Sequence, residues 1–301
     1  YGLDNNGPYP GLGDRRMAGA NAWVLMAMSY YKLQYPSDTS YDAVINRSKN
    51  YLISQMAPVT INGIPSEAVR FNPSNLAETA FDESQQISLE HNLDLYAALK
   101  IYLQAFPSAS DAPTINLKIS KLRAFADSMW DNDHKRFYAG ANYAGAFNES
   151  EIYLDTQTWG ILSLGTKSAS TLYSFRQGLV SNCNSFFESA GFMQNTNTAG
   201  VVGLFDHSPY AGTPAHKFIW TEGTIGHIMA MNKVSADDSV NLLCQGYSKE
   251  SMKTEVLKLK NARGGMPYAT SSANADFSTS ESIAGTAWLY FLNNNFNPFQ
   301  P

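Results

Sequence analysis

The chain has 301 residues, of which 44% are hydrophobic and only 16% charged, and its net charge is -5. This length suits one large domain or two ordinary ones, and the apolar share supports a large core and excludes a disordered chain. There is no basic run to hold nucleic acid and no apolar run long enough to span a membrane.

Residues 1–16, YGLDNNGPYPGLGDRR, are rich in Gly and Pro and read as a loop. An apolar helix follows over 17–35, with Asn21 and Trp23 near its head and Pro36 as its stop. Residues 41–56 show the i, i+3, i+4 spacing of a surface helix through Tyr41, Val44, Ile45 and Leu52. The excursion 57–86 contains a hairpin turn at Asn62-Gly63. Residues 88–106, SLEHNLDLYAALKIYLQAF, form a helix whose first turns carry Glu90, His91, Asn92 and Asp94 and whose body is almost wholly apolar.

Residues 114–130 are amphipathic again, and 131–150 read as a β-hairpin with Gly145 at its turn. A second polar-headed apolar helix spans 152–164 and is closed by Gly165. An amphipathic helix at 168–187 and a Gly- and Asn-rich excursion at 189–219 follow. WTEGTIGHIMAMNK, 220–233, is the next polar-headed helix, 237–261 is amphipathic, and 264–278 is a loop. An apolar helix over 280–293, with Ser280 as N-cap, comes last.

Two kinds of helix alternate: apolar throughout with a polar head, then amphipathic. Buried helices are apolar all round and surface helices carry one apolar stripe, so the alternation predicts an inner set of helices wrapped by an outer set. Five inner and four outer helices are about three fewer than a closed ring of six hairpins, so the ring is either open or continued before Tyr1, a start that reads as trimmed or processed. In such a ring the inner N-termini meet at one end. That end would collect Asp14, Asn21, Glu90, His91, Asp94, Asp155, Gln157, Trp220, Glu222 and Glu281.

The segments AGANAWVLMAMSYY, SLEHNLDLYAALK, YLDTQTWGILSLG, FIWTEGTIGHIMA, GGMPYATS and AGTAWLYFLNNNFNPF, in this order, resemble bacterial proteins of the six-hairpin glycosidase superfamily, the (α/α)6 toroids. The resemblance covers nearly the whole chain. It implies a single all-α domain over 1–301, an (α/α)6-type toroid of helical hairpins with short β-hairpins in its loops and an incomplete N-terminal part. It also implies action on a carbohydrate, since the superfamily holds inverting glycoside hydrolases, sugar epimerases and, on related toroids, polysaccharide lyases.

Glycoside hydrolysis needs two carboxyl groups, one to protonate the leaving oxygen and one to activate water or attack directly. Glu90, Asp155 and Glu222 are the candidates, with Asp94 one turn beyond Glu90. An acid in the first turn of any helix is also favoured by the macrodipole and by capping, so position alone does not make one catalytic. His91, Asp94, Gln157, Trp220, Tyr268 and Asp14 are the expected substrate contacts, and Trp23 and Trp159 are further stacking candidates. An epimerase would need a histidine pair, but only His91 sits at a helix head and His227 lies deeper. A lyase would need a group to neutralise a uronate, and the heads offer only Arg15 and Arg16. A glycan-binding or scaffold protein without turnover is the rival from another class.

The 17 Tyr, 16 Phe and 5 Trp fill a core and also suit sugar rings. There is no phosphate loop, dinucleotide fingerprint or HExxH, so neither cofactor nor metal is expected. Cys183 and Cys244 fit no metal spacing and read most simply as buried thiols, with a disulfide left open. Abundant Asn, Ser and Thr lean towards an exported, secreted or periplasmic protein.

Overall fold

The computed structural model describes residues 17–72, 85–148, 151–165, 175–190, 200–205, 207–209, 218–238, 241–271 and 278–300. In chain order the first elements are α1 (Ala18–Gln34), α2 (Asp42–Ser54), β1 (Met56–Ile61), β2 (Ile64–Val69), β3 (Gln86–Ser88), α3 (Leu89–Ala105) and α4 (Ala112–Ser128). Short strands β4 (Trp130–Asp131), β5 (Arg136–Phe137), β6 (Gly140–Asn142) and β7 (Glu151–Tyr153) lead to α5 (Leu154–Leu164) and α6 (Phe175–Phe186). Then come β8 (Phe187–Ala190), β9 (Val201–Leu204), β10 (His207–Pro209), α7 (Thr221–Asp238), α8 (Lys249–Leu257), β11 (Met266–Pro267), β12 (Glu281–Ser282) and α9 (Ile283–Asn293).

These elements form two compact units. The first holds α1 to α4, β1 to β3 and β6, with α3 packed between α1 and α4. The second holds the remaining elements, with α7 packed against α5, α8 and α9. Every residue of α5 is buried, and α3 buries twelve side chains, so an apolar stretch without a polar stripe does mark a core helix here. The helices α2, α4 and α8 bury one stripe each. Two expected inner helices depart from this pattern: α1 leaves Val24, Tyr31 and Tyr35 exposed at its surface and C-cap, and α9 leaves Ile283 and Tyr290 exposed.

Each sheet among the described residues is a two-stranded ladder. The β1–β2 hairpin turns at Asn62-Gly63, where φ values of 51° and 75° meet the left-handed requirement of a two-residue turn. The expected hairpin over 131–150 is instead two features. β4 pairs with β5 across the turn at 132–135, while β6 crosses to pair with β3. The expected helix over 237–261 is broken, because Gln245 and Gly246 take φ values of 48° and 86° in a turn closed by Cys244 and Tyr247. The helical part is α8 alone, capped by Ser248. Likewise the cap of α9 is Ser282, whose hydroxyl accepts from the Gly285 N–H at 3.2 Å, and not Ser280; pairing of Glu281 and Ser282 with β11 delays the helix.

Cys183 and Cys244 form a disulfide, so the thiol reading gives way to the bridge. Gly140 marks the tightest strand approach. A Cβ there would lie 2.2 Å from the Ile87 carbonyl oxygen, a backbone atom that cannot swing aside. Gly140→Ala is therefore expected to destabilise the protein by about 2–3 kcal/mol through overpacking. Urea unfolding measures it, and an unchanged midpoint would show that β3 and β6 part freely.

Candidate active site

The five helices with polar heads, α1, α3, α5, α7 and α9, begin with the same local arrangement. Counted from the first helical residue, the fourth positions are Asn21, Asn92, Gln157, Thr224 and Thr286. Each of these side chains donates to the carbonyl of the residue just before its helix: to Met17 at 2.8 Å, Ser88 at 2.7 Å, Tyr153 at 3.3 Å, Trp220 at 2.7 Å and Ser282 at 2.7 Å. Four of them also clamp a strand backbone. Asn92 accepts from the Val69 N–H at 2.8 Å, Gln157 from Phe137 at 2.7 Å, Thr224 from Leu204 at 3.0 Å and Thr286 from Met266 at 3.0 Å. Amide and hydroxyl side chains suit this position because they accept and donate at once, which satisfies backbone groups that the short ladders leave open. Gln157, an expected sugar contact, has its amide committed to this clamp and also donates to the Phe137 carbonyl at 2.9 Å.

The second helical positions are Gly19, Glu90, Asp155, Glu222 and Ala284. The three candidate acids therefore occupy equivalent places in a structural repeat. The clamps assign the fourth-position side chains to building the fold.

In the first unit, Glu90 is partly exposed. His91 is buried and lies flat on the Phe71 ring, with centroids 4.6 Å apart and planes 11° apart. Burial pushes its pKa down to about 4, against a smaller opposing effect of the Phe71 backbone, so it is neutral at physiological pH. Asp94 is fully buried one turn beyond Glu90. Gly19 of α1 covers this pair: a Cβ there would fall 2.4 Å from His91 Cδ2 and 3.0 Å from an Asp94 carboxylate oxygen. Trp23 meets Phe299 edge-on at 5.4 Å, a packing contact. Asp14, Arg15 and Arg16 lie outside the described residues.

The second unit brings Asp155 and Glu222 together. Asp155 is buried, and its Oδ1 accepts from the Thr156 N–H at 2.5 Å and from the Thr156 hydroxyl at 3.2 Å. Glu222 keeps some solvent access. Its pKa is nevertheless pushed up to about 7, first by burial and then by the Asp155 charge, with the Trp288 indole N–H opposing as a donor to its carboxyl. Tyr268 is partly exposed and borders the same head, its carbonyl accepting the Thr221 N–H at 3.1 Å. Trp220 and Trp159, expected as stacking surfaces, are 6% and 4% exposed and serve packing. Glu281 is not on a helix head: it sits in β12 and pairs with Arg263 at 2.5 Å.

Sequence reading missed Trp288. The signal was present, because Trp23, Trp159 and Trp288 all stand four residues after the second helical position and so one turn beneath it. His227 is deeply buried, with its pKa pushed down to about 4 by burial, and lies within 4.8 Å of the Cys183 and Cys244 sulfurs. The disulfide occupies both sulfurs, so this cluster is a packing feature in the bonded state.

A carboxyl whose pKa is raised to about 7 by burial and by a neighbouring acid is suited to general acid chemistry near neutral pH.

No protein-family model matches the chain, and no curated protein matches it in sequence. Solved structures do match. A glycosidase in complex with glucose aligns over 99% of this chain and 70% of its own, with a TM-score of 0.62 at 9% identity. A possible GH105 family member from Salmonella enterica serovar Paratyphi A aligns over 90% of this chain and 71% of its own, with a TM-score of 0.58 at 12% identity. A D-mannose isomerase aligns over 94% of this chain and 72% of its own, with a TM-score of 0.57 at 10% identity. At these identities the likeness is one of fold: the chain has a glycosidase-like fold, and its structural neighbours are of the α/α-toroid type.

Proposed function

We propose that the protein is a glycoside hydrolase acting on a poly- or oligosaccharide, with Glu222 as general acid and Asp155 as general base. The observation that carries this reading is the pairing of two acids at equivalent helix positions, one of which, Glu222, has its pKa raised by burial and by the charge of the other. Glu222 holds a proton for the leaving glycosidic oxygen. Asp155, whose charge raises the Glu222 pKa, accepts a proton from the attacking water, the division of labour of an inverting mechanism. Tyr268, beside the head of α7, offers an aromatic edge to a sugar ring. The glycosidase and sugar-isomerase neighbours support carbohydrate as the ligand class.

The test is a panel of α- and β-linked glucans, mannans and their oligosaccharides. New reducing ends are expected, with the anomer opposite to the substrate's in the first minutes by proton NMR. Binding without products would favour the scaffold reading. Ketose–aldose exchange without bond cleavage would favour an isomerase.

A further inference from the structure

The layer beneath the acid pair has its own design. Asp155 and Glu222 occupy the second positions of α5 and α7, and one turn further stand Trp159 and Gly226. The same register on α9 is Trp288. The Trp159 and Trp288 rings stack in parallel, with centroids 5.7 Å apart and planes 4° apart, and both are almost fully buried. Gly226 makes room for them: a Cβ there would already touch Thr158 Oγ1 at 3.6 Å, the Trp288 ring at 3.6 Å and Trp159 Nε1 at 3.7 Å. A side chain larger than alanine would press the pair aside. Two indoles supplied by different helices thus meet at a layer where α7 carries glycine.

We propose that Trp288 is the positioning residue of Glu222: its indole N–H holds the carboxyl in place, and the Trp159 ring, seated beside Gly226, holds the indole. The indole N–H is a donor only, so it bonds best to a carboxylate or to the carbonyl oxygen of a protonated carboxyl. It therefore fixes which oxygen carries the proton and keeps the acid from climbing further out of the neutral range. A ring locked between stacked and packed surfaces has no alternative rotamer, which is what precise placement of a proton donor requires. The kinetic consequence rests on the reading of Glu222 as the acid, but the contact itself does not.

The experiment has two arms. In the first, protein carrying 15N-labelled indole is titrated from pH 5 to 9. The Trp288 Nε1–H resonance is expected to move with a midpoint near the Glu222 value of about 7 and to lose that titration in Glu222→Gln. A resonance indifferent to pH, or one that titrates equally in E222Q, overturns the proposal. In the second arm, Trp288→Phe, which keeps the ring and removes the N–H, is expected to raise the Glu222 carboxyl midpoint, read by 13C NMR, by about half a unit to one unit. The same change is expected to lower kcat about 10- to 100-fold with KM within about 2-fold. Trp159→Phe is expected to move both in the same direction by less. An unmoved carboxyl midpoint in folded W288F overturns the proposal. Should W288F fail to fold by circular dichroism, the first arm decides alone. A shifted midpoint with no turnover on any glycan would leave the positioning intact and remove the hydrolase reading. Turnover with an unshifted midpoint would do the reverse.

Discussion

Glu222→Gln is expected to lower kcat by about 10²- to 10⁴-fold, the usual contribution of a positioned general acid, while KM stays within a few-fold. Glutamine keeps the shape and the hydrogen-bonding oxygen but has no proton to give. The loss should depend on the leaving group. With an aryl glycoside whose phenolate departs without protonation, E222Q should recover much of the rate, whereas Asp155→Asn should stay slow on both substrates because water still lacks its base. Equal losses on both substrates in both variants would mean that the roles are wrongly divided. The pH profile carries the same information. Glu222 must be protonated to act, so kcat/KM of the wild type is expected to fall as pH rises through about 7.

Replacing Glu222 should move stability in the opposite sense to activity. The folded protein holds the Glu222 proton up to about pH 7, while the unfolded chain releases it near the ordinary value of 4.5. Between those values the folded state binds more protons, so the contribution is fully present below about 4.5, declines as pH rises and is gone above about 7. E222Q removes that decline. At pH 8 it is expected to be more stable than the wild type by about 1–3 kcal/mol, the lower end reflecting the solvent access that this carboxyl retains. A catalytic acid that costs the fold stability at its working pH is a common trade, and an E222Q variant that is both slower and more stable would display it.

Much of this was legible in the sequence. The segments AGAN, LEHN, LDTQ, TEGT and IAGT begin five helices of one design, and their polar heads stand out against apolar bodies. What the sequence could not do alone was sort those heads, because the helix dipole favours an acid in any first turn. The structure sorts them by register. Asn21, Asn92, Gln157, Thr224 and Thr286 are tied to backbone carbonyls, and the position two residues earlier is left to Glu90, Asp155 and Glu222. Aligning the five heads would have placed Gln157 with Asn92 and not with the sugar contacts. Other features depend on partners distant in sequence. The start of α9 is set by β12 pairing with β11, and the break before α8 by a turn in which Gln245 accepts a left-handed backbone. Neither leaves a periodic trace. The shielding of Trp159 and Trp220 likewise comes from neighbouring elements, so an aromatic near a helix head looks the same in sequence whether it lies open or packed.

Removal of the Cys183–Cys244 bridge is expected to cost about 4 kcal/mol, the largest stability effect foreseen for a single feature. The two residues are 61 apart in sequence, and closing a loop of that length in the unfolded chain costs roughly this much conformational entropy. Two experiments separate the crosslink from its packing. Wild-type protein reduced with a phosphine keeps both sulfur atoms and loses only the bond, whereas the Cys183→Ala/Cys244→Ala variant also loses buried volume, since the two residues are 0% and 1% exposed. Urea unfolding should therefore show a loss of about 3–4 kcal/mol on reduction and up to about 1 kcal/mol more in the double variant. A reduced protein as stable as the oxidised one would show that the bond constrains nothing in the unfolded chain. The place where the loss first appears is also predictable. The bridge ties α6 to the turn at 244–247, which is otherwise held by two backbone bonds of 2.8 Å and by Gln245 donating to Asn184 at 2.8 Å. Hydrogen exchange should therefore rise first in residues 241–248 and in α6. The heads of α5 and α7 are pinned by their own clamps through Gln157 and Thr224, so Glu222 should keep its titration and the reduced protein its activity until the whole unit melts. Activity lost well below that temperature would mean that the bridge supports the acid pair directly.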